Sequence, residues 1–223
     1  MTQAVAPERN PSVLRIQAVL VAIALVAGLS IATVHEITRP LVQAQRGGQL
    51  GNAALEVLPG ATTFQIFARD EDGRPKRLET VDGVELFLGL DAAGEAVGVA
   101  IVGSGMGYQD TIQLVYGLEP REGRLLGMRV VASRETPGLG SLIVDDAGFV
   151  GGFSQVVLQF DADGEVEPLR VRDEPRYERG EIDAISGATV SVRAVAQIIS
   201  RSLDEWLPVL QAHYDELTGE AGG

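Results

Sequence analysis

The feature that most constrains this chain is the apolar run from Val13 to Val34. It is interrupted only mildly, by Arg15, Gln17, Gly28, Ser30 and Thr33, and spans about 22 residues, of which about 17 from Ala18 carry no charge, enough for a helix to cross a bilayer. A cleaved signal peptide also begins with a basic stretch, but its apolar core is roughly 7–15 residues long and ends at a small-x-small site. Here the run is longer and no convincing site follows, so a retained single-pass anchor is expected. Arg9 and Arg15 precede the run, whereas Glu36 and Arg39 follow it. The bias of basic residues toward the cytoplasm puts residues 1–12 inside and everything after the anchor, taken as 13–35, on the outer, periplasmic face of the inner membrane.

After the anchor, Thr38-Arg39-Pro40 reads as a helix start with proline in the first turn. It opens a linker helix assigned to residues 36–60, with an interruption expected near Gly47-Gly48 and a stop at Pro59-Gly60. Residues 61–218 then form one domain, and 219–223 a frayed tail. Short strand patterns separated by turns fill the centre of the domain. Thr63–Ala68 ends at Asp72-Gly73, and Val84–Leu90 leads through Asp91-Ala92-Ala93-Gly94 into Ala96–Val102 as a hairpin. Ile112–Leu118 and Leu125–Val131 make a second hairpin, and Val156–Phe160 and Leu169–Arg172 are further candidates around Asp161-Ala162-Asp163-Gly164. Strands in the middle and helices at the ends give an α+β class with a mainly antiparallel sheet.

The charge and residue inventory removes several functions. A net charge of −13 argues against nucleic acid as a partner of the soluble part. There are no cysteines, which excludes disulfides, thiolate nucleophiles, iron–sulfur ligation and cysteine-based zinc sites. Only two histidines occur, His35 and His213, so neither a histidine metal site nor a Ser-His-Asp triad is expected.

The chemistry concentrates at Asp183-Ala184-Ile185-Ser186-Gly187-Ala188-Thr189. Beyond Thr189, apolar residues fall at Val192, Val195, Ala196, Ile199, Leu203 and Trp206, the spacing of a helix with one buried face, with Arg193, Gln197 and Arg201 mostly off it. A turn of small residues thus delivers a threonine hydroxyl to a helix start. Unpaired backbone N–H groups and the positive end of the helix dipole can hold a phosphate there. Ser186, Gly187 and Ala188 have too little bulk to keep a large ligand from the backbone. On local physics alone, ordinary capping by serine and threonine and an Asx turn at Asp183 account for the same residues.

Two glycine-rich stretches precede this motif. Gly103-Ser104-Gly105-Met106-Gly107-Tyr108 lies between strand patterns, so it is no dinucleotide fingerprint, which needs a helix to follow. It reads as a tight β-connection or a ligand-facing loop. In Glu135-Thr136-Pro137-Gly138-Leu139-Gly140, the Pro-Gly pair forces a turn and Gly140 permits close approach of backbone to ligand. The Glu135 and Thr136 side chains could bond a polar ring edge.

Asp183-x-x-Ser186-Gly187-Ala188-Thr189 resembles the flavinylation motif of the G subunit of Rnf electron-transport complexes and of the C subunit of the sodium-pumping NADH:quinone reductase. Glu135–Gly140 resembles the second signature of the same families, about 50 residues earlier and in the family order. The resemblance implies FMN joined to Thr189 through a phosphoester. Thr136, Gly138 and Leu139 would then lie near the isoalloxazine, and Asp183, Ser186, Gly187, Ala188 and Glu135 would belong to the cofactor site. Asp183 either assists a flavin transferase, through its magnesium ion, or fixes the turn. The resemblance further implies an electron carrier in a ferredoxin:NAD⁺ oxidoreductase complex coupled to transport of Na⁺ or H⁺. Its partners would be the other membrane subunits and, during maturation, the transferase, with no turnover by this chain alone. The quinone reductase and a non-redox membrane-tethered binding module are the alternatives. Two departures stand out: Ser133 occupies a position commonly histidine, and Val192 replaces a small hydroxyl residue, removing one expected phosphate bond.

Overall fold

The computed structural model describes residues 11–219; the N-terminal segment through residue 10 and the tail beyond 219 lie outside them. The chain divides into two units, one ending at Arg46 and one beginning at Gly47. Helix α1 runs from Pro11 to Glu56. Within it, Arg15–Thr38 is a 24-residue stretch, none of it buried, long and apolar enough to cross a membrane. Its Ser30, Thr33 and Thr38 hydroxyls donate to the carbonyls of Val26, Leu29 and Val34 one turn back, at 2.7, 2.8 and 2.6 Å. These hydroxyls on an otherwise apolar surface are therefore satisfied within the helix.

The expected second helix start at Thr38 and the break at Gly47-Gly48 do not occur, since α1 continues through Pro40 and both glycines. A proline removes a single donor, which a long helix tolerates with a local loss. Gly47 serves a contact instead of a break: a Cβ there would overlap the Val81 side chain. Pro59-Gly60 does end the segment, with Gly60 at φ +94°.

Six strands follow: β1 (Thr63–Arg69), β2 (Pro75–Arg77), β3 (Leu86–Leu90), β4 (Ala96–Met106), β5 (Thr111–Glu119) and β6 (Arg124–Ala132). They form one antiparallel sheet in the order β2-β1-β3-β4-β5-β6, so both expected hairpins are present. Two short helices, α2 (Leu142–Asp145) and α3 (Ala147–Gly152), lead to a parallel pair, β7 (Arg170–Arg172) with β8 (Glu181–Asp183), and then to α4 (Thr189–Gly219). The expected strand at Val156–Phe160 is reduced to isolated bridges, Arg124 with Val157 and Phe160 with Val166. Its backbone turns alternately to different segments, Val157 N to Tyr177 O and Leu158 N to Gly123 O, so no ladder propagates.

Both faces of the sheet are covered. On one, Leu86 and Leu88 of β3, Val99 and Ile101 of β4, and Leu114 and Tyr116 of β5 pack in one cluster with α4. The intervening Phe87, Ala100 and Val115 pack with Leu50, Ala53, Ala54, Val57 and Leu58 at the end of α1 and just past it. This is why β3 is buried at every position instead of alternating. All six apolar positions expected on the buried face of α4 are buried.

Glycines set how closely these layers approach. Gly103 and Gly105 lie within β4, where a Cβ would come to 2.7 Å from Ile198 of α4; the stretch is strand, and its missing side chains admit the helix. On the other face, a Cβ on Gly117 would overlap the Val57 carbonyl, a backbone atom that cannot rotate away. Gly117→Ala is therefore expected to destabilise the fold by about 1–3 kcal/mol, lowering the thermal midpoint of the purified chain in detergent by several degrees. An unchanged midpoint would show that the end of α1 does not pack as described.

Candidate functional site

Two glycine turns face each other beside the start of α4. In the first, Leu139 N donates to Thr136 O at 3.2 Å across Pro137-Gly138, with Gly138 at φ +74°. Proline second and a left-handed glycine third are the requirements of a type II turn. In the second, Ala188 N donates to Ile185 O at 3.0 Å across Ser186-Gly187, with Gly187 at φ +85°. A Cβ on Gly187 would come to 3.2 Å from Leu139 Cδ2, so the turns are in close register.

Between them and the β4–β5 turn lies an open cavity of about 320 Å³. Thr136, Leu139, Gly187, Ala188 and Thr189 of the expected site line it, together with Tyr108, Gly140, Val190 and Ser191. Tyr108, Leu139 and Val190 are large side chains left 70, 50 and 52% exposed, apolar walls that suit a flat ring. A cleft of similar size beside Leu203, Asp204 and Leu207 of α4 contains none of the motif residues.

The start of α4 is open. The residue before Thr189 is Ala188, which has no side-chain acceptor with which to cap, and the first backbone bond into the helix is Val192 N to Ala188 O at 2.9 Å. The N–H groups of Thr189, Val190 and Ser191 precede that bond, so the helix leaves them to a ligand or solvent. Ser186 and Thr189 are exposed, and neither hydroxyl makes a hydrogen bond among the described residues. Capping therefore does not account for these residues. Neutral apolar walls next to uncapped N–H groups match the needs of a phosphorylated flavin.

Glu135 does not line the cavity. It is 6% exposed. Its Oε1 accepts from Gln109 N at 3.0 Å, with Asp110 N at 3.5 Å, while Oε2 accepts from the Ser191 hydroxyl. One carboxylate therefore joins the β4–β5 turn, the Glu135–Gly140 loop and the first turn of α4, the three walls of the cavity. Burial pushes this carboxyl up, but the Ser191 hydroxyl and the backbone N–H groups of Gln109, Asp110 and Tyr108 outweigh it and hold it below the usual range. Gly140 makes room for the same group, since a Cβ there would come to 2.5 Å from Glu135 Oε2 and 2.7 Å from Ser191 Oγ. The Thr136 hydroxyl is also engaged, donating to Gln109 Oε1 at 3.0 Å.

Asp183 lies outside the cavity lining. Its Oδ2 accepts from the Tyr177 hydroxyl, and that bond, with burial added, pushes Tyr177 up to about 12. Ser133, at the position commonly histidine, accepts from Glu135 N through its Oγ at 3.3 Å. Val192 is fully buried in the core, so a hydroxyl there would face packed side chains and not the cavity. Val190, Ser191 and Gln109 carry no motif signal in the sequence; Val190 and Ser191 simply continue the attachment turn into the helix. No cluster of metal-ligating side chains occurs among the described residues.

The fold and site define an FMN-binding domain, and residues 107–204 match the family model of that description. The chain is 33% identical over 204 residues to the G subunit of the ion-translocating oxidoreductase complex of Pseudomonas aeruginosa (strain UCBPP-PA14), covering 86% of this chain and 87% of the relative. It is 29% identical over 189 residues to the protein of the same description from Methanosarcina acetivorans, covering 83 and 89%. The chain belongs to the G-subunit family of these Rnf-type complexes. The crystal structure of Shewanella oneidensis NqrC shares its fold, with a TM-score of 0.63 at 17% identity over 79% of this chain and 99% of that one.

Glu135→Gln puts an amide where two acceptor oxygens meet N–H and O–H donors, and should cost about 1–3 kcal/mol at neutral pH. Because the folded carboxyl titrates below its ordinary value, its contribution is full above the ordinary carboxylate range. It shrinks as pH falls and is gone below the folded value. Urea unfolding of both proteins across pH 3–8 should show a gap that closes in acid. Equal stability at neutral pH would remove this role for Glu135.

Proposed function

We propose that this chain is a membrane-anchored flavoprotein subunit that carries electrons through FMN esterified to Thr189, within an Rnf-type ferredoxin:NAD⁺ oxidoreductase complex coupled to Na⁺ or H⁺ transport. The observation that carries the proposal is the position of the Thr189 hydroxyl: exposed, unbonded among the described residues, on the cavity wall, and first in a helix whose leading N–H groups are uncapped. When bound, FMN supplies the one- and two-electron redox chemistry that no side chain here provides. Thr189 tethers the cofactor so that it is retained in every oxidation state. The N–H groups at the start of α4 would hold the remaining phosphate charge. Leu139, Tyr108 and Val190 would flank the ring, Gly187 and Ala188 would let the backbone approach it, and Gly138 shapes the turn that presents Leu139. Glu135 acts by holding the three walls together, and Thr136 presents its hydroxyl oxygen. Asp183 acts by fixing β8, from which the attachment turn departs; its bond to Tyr177 favours this over a magnesium role.

Identity to G subunits across nearly the whole chain favours the Rnf-type complex over the quinone reductase, whose NqrC shares the fold at low identity. The anchor keeps the domain at the membrane on the outer face, in reach of the other membrane subunits, and a flavin transferase supplies the cofactor during maturation. This chain alone turns over no substrate.

Co-expression with a flavin transferase should give a band that fluoresces on a denaturing gel, and Thr189→Ala should abolish it without loss of protein. A dark wild-type band would remove the covalent link. Protease added to intact spheroplasts should digest the domain, whereas digestion only after the cells are opened would reverse the orientation.

A further inference from the structure

We propose that Arg193 is the cationic partner of the phosphoryl group carried at Thr189, a proposal that rests on the FMN reading above. The donor inventory of the cavity leads to it. Once Thr189 is esterified its oxygen has no proton to give. The Ser191 hydroxyl already donates to Glu135, and the Thr136 hydroxyl to Gln109. None of the residues lining the cavity is cationic. Besides the neutral hydroxyls of Tyr108 and the adjacent Ser186, the phosphoryl oxygens are thus offered only backbone N–H groups, whose summed dipole amounts to about half a unit charge. Meanwhile a second anion, the Glu135 carboxylate, sits directly behind Ser191, so the same helix end would carry two negative groups.

Arg193 is four residues beyond Thr189, hence on the same face of α4 one turn along. Helical side chains lean toward the N-terminus, which puts the turn that holds Thr189 within reach of its guanidinium. It is exposed, and it makes no ion pair or side-chain hydrogen bond among the described residues. The neighbouring cations are worse placed. Arg134 is on the far side of Glu135 in sequence and its Nη1 already sits 3.7 Å from Asp110 Oδ2. Arg201 is about three turns from Thr189. A guanidinium's planar fork of donors also suits a phosphodiester better than an ammonium does.

The test uses the full chain purified in detergent from cells lacking the transferase, so that binding is reversible. FMN and riboflavin are titrated separately, followed by flavin fluorescence, into wild type, Arg193→Gln and Arg193→Lys. Arg193→Gln should weaken FMN binding about fivefold or more, leave riboflavin binding unchanged, and lose its difference from wild type as salt is raised. Arg193→Lys should recover most of the loss. Arg193→Gln that binds FMN as wild type does, or that weakens riboflavin equally, overturns the proposal while leaving the FMN site intact. Wild type that binds neither flavin removes the site itself and this proposal with it.

Discussion

Glu135 is the buried anion on which the β4–β5 turn, the Pro-Gly turn and the first turn of α4 converge, through Gln109 N, Asp110 N and the Ser191 hydroxyl. Among the described residues no other side chain joins all three cavity walls. A charged acceptor satisfied by several donors is strong because it is shielded from water, and loss of the carboxylate would leave buried donors unsatisfied. The cost of burying the charge is met locally, which is why the carboxyl is held below its usual range despite being enclosed. The glycines around it follow from the same need. Gly107 and Gly140 each lie where a Cβ would collide with a Glu135 oxygen.

A similar logic of close approach governs the sheet. The layers on both faces reach the strands where side chains are missing, at Gly103 and Gly105 beneath Ile198 of α4 and at Gly117 beneath Val57, just past α1. The consequence for function is positional. Ile198 lies in the third turn of α4, so the seating of that helix on β4 also sets where Thr189, at its start, meets the cavity. Packing in the core and the placement of one hydroxyl are thus linked through a single rigid helix.

Much of this is legible in the residues. The buried face of α4, both hairpins and the Pro-Gly turn follow from periodicity and turn chemistry, which act over short distances. The two motifs name the cavity walls at Thr136, Leu139, Gly187, Ala188 and Thr189. What is not legible depends on contacts far apart in sequence. Glu135 reads as a ligand acceptor until Ser191, 56 residues away, is found taking up one of its oxygens. Asp183 reads as an Asx turn until Tyr177 is found bonded to it. Gly103–Tyr108 reads as a connection or loop because a strand rich in glycine has weak propensity; the helix across from it explains Gly103 and Gly105, and the Glu135 carboxylate explains Gly107. Gly47 reads as a helix break because its contact, Val81, lies in another segment.

The bond between a threonine oxygen and a flavin phosphate is tested most directly by locating the flavin on the denatured chain. Trypsin cuts after Arg179 and Arg193, releasing residues 180–193 as one peptide that holds Ser186, Thr189 and Ser191 together. Mass spectrometry of protein matured with a transferase should find that peptide heavier by the FMN moiety, with fragment ions placing the addition on Thr189. Flavin wholly released on denaturation, or an addition on Ser186 or Ser191, would contradict it.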